Sequence, residues 1–240
     1  MDQLLIALDV PTGSEALRLA DLLRGSVGGF KIGSQLFTAE GPAIVRTLTG
    51  KGDRVFLDLK FHDIPNTVAN AVAAATSLGV WMVNVHASGG TKMMQAAAEA
   101  ARKNASAEGR QAPLVIAVTV LTSMTAAAMS ETGTNVPVID QVSRLARLAQ
   151  ESGLDGVVGS PQETSAIRAL CGPKFVIVTP GIRGGAAVTS KDDQERTLTA
   201  GGAIAAGSSY LVVGRPVIAA PDPREAAERI ADEIRSSYLV

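Results

Sequence analysis

Residues 55–65 read VFLDLKFHDIP and place a β-strand pattern directly before the start of a helix. Successive side chains of a strand point to opposite faces, so Phe56, Asp58 and Lys60 share one face. Lysine and aspartate are rarely buried unless they are paired, so this face predicts either a structural ion pair or a site for chemistry. Pro65 then opens a helical pattern, because proline is favoured in the first turn of a helix. The stretch is therefore a strand–helix unit with charges at the carboxyl end of its strand.

The same unit recurs along all 240 residues, in which short β-rich runs alternate with alanine-rich helical patterns. The predicted strands are Leu4–Asp9, Gly29–Ile32, Val55–Lys60, Trp81–His86, Leu114–Val120, Gly156–Gly159, Phe175–Thr179 and Tyr210–Gly214. Eight strands, each followed by a helix and without a break in composition, predict the α/β class: a closed (β/α)8 TIM barrel, with a single domain over residues 1–240. An open doubly wound sheet stays possible, although no G-x-G-x-x-G follows the first strand.

Local signals mark several helix ends and one insertion. Ser14 and Ser160 stand before helical patterns, as residues at helix starts often do. Residues 121–137 form the longest insertion, and we expect them to contain a short extra helix over the fifth strand.

The composition is that of an ordinary soluble globular protein, with 46% hydrophobic residues, 19% charged residues and a net charge of −1. A near-zero charge without a basic run argues against binding to nucleic acid or to an anionic membrane. No apolar run approaches the roughly 20 residues of a membrane span, and the N-terminus lacks the pattern of a signal peptide. A single cysteine, Cys171, fits a reducing compartment, so we expect a cytoplasmic protein.

A charged set is expected at one mouth of the barrel. Catalytic residues of such barrels lie at the carboxyl ends of the strands. Applied here, this rule selects five residues of mixed sign near the ends of the first three strands: Asp9, Lys31, Asp58, Lys60 and Asp63. Taken singly, Asp9 fits a turn and Lys31 fits a snorkelling surface lysine, but together they favour an active site.

A second set follows strands 7 and 8, where barrels often hold a phosphate group. Strand 7 runs into Pro180-Gly181-Ile182-Arg183 and a polar loop, and strand 8 ends at Gly214-Arg215. Glycine allows the backbone to approach a ligand closely, and the forked guanidinium of arginine suits phosphate oxygens. An ordinary turn remains the alternative, but the position favours phosphate binding.

Several motifs together closely resemble the orotidine 5'-phosphate decarboxylase family of the bacterial type. They are Asp58-x-Lys60-x-x-Asp63-Ile64-Pro65, Leu121-Thr122-Ser123, Pro180-Gly181-Ile182-Arg183, Gln194 and Val213-Gly214-Arg215-Pro216. The D-x-K-x-x-D motif alone is shared with sugar-phosphate enzymes of the same barrel group, whereas the combination is far more specific. The resemblance extends from the Ala7-Leu8-Asp9 segment to Pro216.

The resemblance implies a carboxy-lyase that converts orotidine 5'-phosphate to uridine 5'-phosphate (UMP) in pyrimidine biosynthesis without metal or cofactor. The implied catalytic residues are Lys60, Asp58, Asp63 and Lys31. Lys60 would stabilise the developing C6 carbanion and then protonate it. Asp58 would lie beside the substrate carboxylate and hold Lys60 in place.

The resemblance also assigns substrate contacts and a homodimer. Asp63, Ile64 and Thr67 would reach the active site of the neighbouring subunit. The other contacts would be Asp9 and Lys31 to the ribose, Thr122 or Ser123 to the pyrimidine edge, and Arg183, Gln194, Gly214 and Arg215 to the phosphate. Asp58 and Pro180 are further implied substrate-binding residues. Closure of the loop at residues 184–191 over the phosphate would exclude water from the site.

Three alternatives stay open. A Mg2+-dependent sugar-phosphate decarboxylase or aldolase would need a carboxylate on strand 2, where this sequence has Lys31, and Glu40 falls in the following helix. Schiff-base chemistry at Lys60 is a second alternative, and a catalytically silent phosphate binder is a third. His62 and His86 match no zinc spacing, so we expect His86 to be hydrogen-bonded in the barrel mouth.

Overall fold

The computed structural model describes residues 2–182 and 198–238, and it contains eight parallel strands. These are β1 (Leu4–Ala7), β2 (Gly29–Gly33), β3 (Val55–Phe61), β4 (Met82–His86), β5 (Leu114–Val118), β6 (Gly156–Val158), β7 (Val176–Pro180) and β8 (Tyr210–Val213). Each predicted strand is present, and the ends differ by at most two residues.

The helices connect successive strands, except for the last two, which follow β8. They are α1 (Gly13–Leu23), α2 (Ser34–Glu40), α3 (Pro42–Gly50), α4 (Pro65–Ser77), α5 (Gly90–Ala107), α6 (Ala126–Glu131), α7 (Val138–Glu151), α8 (Thr164–Cys171), α9 (Ala200–Ala205), α10 (Arg215–Ile218) and α11 (Pro223–Ser236). The described residues contain no helix that is long and apolar enough to cross a membrane.

The sheet closes on itself in the order β1 to β8. Leu5 of β1 pairs with Gly29 of β2 on one side and with Val212 of β8 on the other, in parallel register. This closure confirms the predicted (β/α)8 barrel and excludes the open doubly wound sheet.

Two layers of apolar side chains hold the barrel together, as the two-residue period of a strand requires. In β1, Leu4 and Ile6 face the surrounding helices, whereas Leu5 and Ala7 belong to the cluster that fills the barrel interior. The interior cluster also contains Phe56, Met82, Ile116, Val178 and Val212. The barrel is therefore a packed core and not a pore.

Local signals explain most helix boundaries. α4 begins at Pro65 as predicted, and the insertion contains the expected short helix, α6. α1 begins earlier than the Ser14 signal suggested, because the hydroxyl of Thr12 accepts a hydrogen bond from the N–H of Glu15 and so caps the helix. Gly79 ends α4 with a φ of 79°, a conformation that glycine adopts readily.

The amino ends of the strands are closed by an aromatic and cationic stack. The rings of Trp81 and Tyr210 meet edge to face at 4.9 Å, and the guanidinium of Arg54 lies 3.7 Å from the centre of the Trp81 ring. Such cation–π packing adds to the apolar burial. Asp9, Lys31, Asp58 and Lys60 instead line a cavity at the opposite, carboxyl end of the strands.

Candidate active site

Strand β3 turns its charged residues into a cavity at the carboxyl ends of the strands. Phe56, Asp58 and Lys60 all line this cavity, as the alternation of the strand predicts. The β3–β4 register slips between Leu57 and Phe61, where the ladder contains a bulge. Bulges re-aim side chains and are frequent beside active sites.

The backbone of Lys60 has an unusual conformation at this bulge. Its φ is 53°, and among the described residues it is the one non-glycine residue with positive φ. Holding a non-glycine residue in this region costs on the order of 1–3 kcal/mol, so the surrounding structure must fix it there. Strain of this kind concentrates at functional sites, which makes Lys60 the most conspicuous residue of the cavity.

Asn84 of β4 connects the two charged residues of β3. Its Oδ1 accepts a hydrogen bond from the backbone N–H of Lys60 at 2.8 Å, and its Nδ2 donates to Asp58 Oδ1 at 2.7 Å. Asn84 is fully buried, so both groups would be costly to leave without partners. Sequence reasoning missed this residue, although its signal is visible: it is a polar residue at an inward position of β4, between Met82 and His86.

Four charged side chains form a continuous chain across the cavity. The ammonium of Lys60 lies 2.6 Å from Asp58 Oδ1, and the ammonium of Lys31 lies 3.5 Å from Asp58 Oδ2. Lys31 also contacts Asp9 Oδ1 at 3.0 Å. The charges alternate in sign from Asp9 to Lys60, so each attracts its neighbours, and the structure brings together four of the five residues selected from the sequence.

Burial differs along this chain of charges. The side chains of Lys31 and Asp58 are 9% and 13% exposed, whereas those of Lys60 and Asp9 are 36% and 49% exposed. Gly33, at the end of β2, leaves the room that Lys31 needs, since a Cβ there would lie 3.0 Å from both Lys31 Nζ and Asp9 Oδ1. The largely buried side chains of Lys31 and Asp58 hold the row of charges in place, and the more exposed side chain of Lys60 faces the cavity.

The cavity has a volume of about 500 Å³, within the range of small-molecule sites. Its floor is apolar and its wall carries the charges. Val118, Val158, Val178 and Val212 lie among the lining residues, together with Thr122, Pro180, Gly214 and Arg215. Such a cavity suits a small molecule that combines an apolar part with charged groups.

The predicted phosphate residues fall into two groups. Gly214 and Arg215 line the cavity next to Gly181 and Ile182, together with Pro180, a predicted substrate-binding residue without an assigned group. Arg183, Gln194 and the loop at residues 184–191 lie outside the described residues.

Other predicted residues lie away from the cavity of their own chain. Thr122 lines it, but the described lining residues do not include Ser123, Asp63, Ile64 or Thr67, and all four of these are exposed. Asp63 Oδ1 accepts a hydrogen bond from the N–H of Ile64, whose side chain is 66% exposed.

Two histidines stand beside the charged chain. The rings of His62 and His86 lie 5.4 Å apart between centres. Burial lowers the pKa of His86 from its ordinary value of 6.5, and the nearby His62 and Lys60 lower it further, against the opposing effect of Asp58. A neutral imidazole is therefore favoured at this position.

Among the residues that the structure describes, the donors at this mouth do not form a grouping typical of a metal site. The described residues contain no cluster of three or more His, Cys, Asp or Glu side chains that could hold a metal ion. Glu40, the carboxylate nearest to strand 2 in the sequence, accepts a hydrogen bond at Oε1 from the N–H of Gly13 at the start of α1.

A closed barrel with this cavity at the carboxyl ends of its strands defines a (β/α)8-barrel enzyme with alternating lysines and aspartates in its active site. A sequence model of the orotidine 5'-phosphate decarboxylase / HUMPS family matches residues 2–230. The chain belongs to this family.

Individual relatives agree with this assignment. The chain is 55% identical over 234 residues to the orotidine 5'-phosphate decarboxylase of Moorella thermoacetica, covering 97% of this chain and 92% of the relative. It is 52% identical over 235 residues to that of Syntrophotalea carbinolica, covering 98% and 96%. The crystal structure of orotidine 5'-phosphate decarboxylase from Lactobacillus acidophilus has a TM-score of 0.85 at 36% identity, covering 96% and 98% of the two chains.

Proposed function

We propose that this protein decarboxylates orotidine 5'-phosphate to UMP, a step of de novo pyrimidine biosynthesis, without a metal ion or organic cofactor. The observation that carries the proposal is the chain of alternating charges Asp9–Lys31–Asp58–Lys60 at the mouth of the barrel, in a member of this family. Its two ligands are then orotidine 5'-phosphate and UMP. The single cysteine favours a cytoplasmic location, where thiols stay reduced.

Lys60 is the residue that the reaction needs most. Loss of CO2 leaves an electron pair at C6 of the pyrimidine ring, in an orbital that no carbonyl group can delocalise. An ammonium beside C6 stabilises this developing charge, and the same group then donates the proton that completes the product. Lys60 is suited to both roles, since it lines the cavity and is held by Asp58 at 2.6 Å.

Asp58 supports Lys60 and also faces the departing group. Its carboxylate lies between two ammonium groups, so it fixes where the Lys60 ammonium points. A substrate carboxylate ~4 Å away would be repelled by roughly 4 kcal/mol at an effective dielectric constant of 20, and the departure of CO2 would relieve that repulsion. We assign the holding of Lys60 as the main role of Asp58.

We assign the remaining lining residues to the other parts of the substrate. Asp9, Lys31 and Thr122 line the cavity, which supports assigning Asp9 and Lys31 to the ribose hydroxyls and Thr122 to the edge of the pyrimidine. Arg215 and Gly214 also line the cavity, which supports assigning the Arg215 guanidinium and the Gly214 backbone to the phosphate. The phosphate takes no part in bond breaking, but its binding energy can be used to hold the ring against Lys60. Ser123, Arg183 and Gln194 remain predicted contacts on the strength of the resemblance.

We also propose that the active form is a homodimer in which Asp63, Ile64 and Thr67 complete the site of the partner subunit. All three are exposed and lie away from the cavity of their own chain, and the large apolar side chain of Ile64 is among the most exposed. Asp63 would then extend the alternating charges of the partner by one carboxylate.

Mixing two inactive variants tests this arrangement. If the partner supplies Asp63, the Lys60→Ala and Asp63→Ala defects of a mixed dimer fall in the same site, so the other site of that dimer is intact. Statistical mixing predicts recovery of about a quarter of the wild-type activity if the two-fold dimer shares its sites. A mixture that stays as inactive as either variant alone would place Asp63 in its own subunit's chemistry.

The proposed reaction is tested by the ultraviolet-monitored loss of orotidine 5'-phosphate in excess EDTA. The wild type is expected to turn over, and Lys60→Ala is expected to lose at least about 10⁴-fold in kcat, because it removes both the charge and the proton donor. Lys51→Ala is the matched control, since Lys51 forms a surface ion pair with Asp21.

Other outcomes of the same assay would support the alternatives. Activity that requires Mg2+ and a sugar phosphate would make the protein a metal-dependent decarboxylase or aldolase. Borohydride trapping of a carbonyl substrate on Lys60 would indicate a Schiff base. Tight UMP binding without turnover would indicate a binding protein.

A further inference from the structure

We infer that Asn84 is a positioning residue for the decarboxylation: it fixes the backbone of Lys60 and the carboxylate of Asp58 with one buried amide. This inference rests on the proposed function and adds a residue to that site. Asn84 is fully buried, and its inferred role involves no contact with the substrate. It acts through its hydrogen-bond partners Lys60 and Asp58.

The hydrogen bonds form a closed ring. The N–H of Lys60 donates to Asn84 Oδ1 at 2.8 Å, Asn84 Nδ2 donates to Asp58 Oδ1 at 2.7 Å, and Lys60 Nζ donates to the same Asp58 oxygen at 2.6 Å. The orientation of the amide is determined, because a backbone N–H can only donate and must meet the carbonyl oxygen of Asn84. The amide nitrogen then faces the carboxylate.

The bulge in β3 explains why a side chain is needed here. Between Leu57 and Phe61 the β3–β4 ladder slips, so the N–H of Lys60 is satisfied by a side chain instead of by a regular ladder partner. That N–H belongs to the residue whose φ is 53°. Asn84 therefore supplies the hydrogen bond that accompanies the unusual backbone conformation and aims the Lys60 side chain.

Two substitutions separate positioning from simple packing. Asn84→Leu keeps the approximate volume and removes both hydrogen bonds. Asn84→Asp keeps the shape, but only a protonated carboxyl can donate to Asp58 while accepting from the Lys60 N–H. An ionised carboxyl cannot donate, and it repels Asp58. Thr119→Val is the matched control, because Thr119 is 4% exposed and loses one partly buried hydrogen bond to Val158 O, while its own side chain is not among the described cavity-lining residues.

The experiment measures kcat and KM for orotidine 5'-phosphate, UMP affinity and the denaturation midpoint, for the wild type and all three variants across pH. Misplacement of a reacting group by about 1 Å costs on the order of 10²-fold, so Asn84→Leu is expected to lose about this factor in kcat with UMP affinity nearly retained. Thr119→Val is expected to lose stability and keep kcat. The kcat of Asn84→Asp, relative to the wild type, is expected to rise as the pH falls.

Two results would overturn the inference. One is a wild-type kcat in folded Asn84→Leu. The other is an Asn84→Asp variant whose pH profile runs parallel to that of the wild type, and this result is decisive even if Asn84→Leu does not fold. Failure of the proposed function itself would be recognised separately, because the wild type in the same assay would then show no decarboxylation.

Discussion

Lys31 Nζ lies 3.5 Å from Asp58 Oδ2, while the other oxygen of the same carboxylate contacts Lys60. The Asp58 carboxylate is thus shared by two cations, and its own side chain is only 13% exposed. Removing its charge would leave two ammonium groups on either side of a largely buried side chain, where charges interact more strongly than in bulk solvent. The geometry of Lys60 consequently depends on Asp58.

Asp58→Asn is expected to lower kcat by about 10²-fold, the effect of removing one well-placed electrostatic group. The amide keeps the shape of the side chain but no longer holds the Lys60 ammonium by charge. The measurement compares kcat with the affinities for orotidine 5'-phosphate and UMP, which differ in the carboxylate. If holding Lys60 is the main role, the ratio of these affinities changes by much less than kcat. A tightening of the substrate by 10²-fold or more would assign the main role to repulsion of the substrate carboxylate.

Arg215→Ala is expected to weaken substrate binding and slow the reaction by about 10- to 100-fold in kcat/KM, since a hydrogen bond to a charged group contributes about 1.5–3 kcal/mol. Orotidine without its phosphate provides the sharp comparison. The variant and the wild type should process that nucleoside equally, because orotidine lacks the phosphate that Arg215 would contact. Equal loss with both substrates would remove Arg215 from the phosphate site.

The barrel and most of the charged residues at its mouth could be predicted from the sequence, because both depend on short-range periodicity. The two-residue period of β3 placed Asp58 and Lys60 on one face, and the rule for strand ends added Lys31 and Asp9. The bulge at Lys60 could not be predicted, since it arises from pairing with a strand more than 20 residues away. Asn84 was missed for the same reason. Its role becomes visible only when β4 lies beside β3.

The position of Asp63 shows a different limit. Its place in the D-x-K-x-x-D motif suggested a member of the same charged set, but the structure leaves it exposed, with its Oδ1 accepting from the N–H of Ile64. Three residues beyond Lys60 the chain has left the strand and approaches α4, which begins at Pro65. Spacing in a motif therefore does not establish that its residues meet in one subunit.

His86 makes the stability of the protein depend on pH. Burial lowers its pKa below the ordinary 6.5, so below pH 6.5 the unfolded chain binds more protons at this residue than the folded chain does. The free energy of unfolding is therefore expected to fall as the pH drops from 6.5 toward the folded-state pKa of His86. Denaturant unfolding of the wild type and His86→Gln at several pH values measures this effect. The variant should lose part of the slope, and identical slopes would contradict the assignment to His86.

Arg168 anchors the loops at the amino end of the barrel with hydrogen bonds to three carbonyl groups. Its guanidinium donates to the backbone oxygens of Gly172, Phe175 and Gly207, and it also contacts Ser209 Oγ. Lysine carries the same charge but lacks the planar fork, so it cannot reach all of these acceptors at once. Arg168→Lys is expected to lower the free energy of unfolding by about 2–3 kcal/mol while leaving kcat unchanged.

Arg102→Lys is the control for this loss, since Arg102 makes one long contact of 3.5 Å to Gly153 O at an exposed position. A change within about 0.5 kcal/mol is expected there. The two variants are compared by urea unfolding, with kcat measured on the folded enzyme at the same temperature. Equal stability of both variants would mean that solvent replaces the lost hydrogen bonds of Arg168. A fall in kcat with Arg168→Lys alone would mean that the amino end of the barrel controls the geometry of the charged mouth.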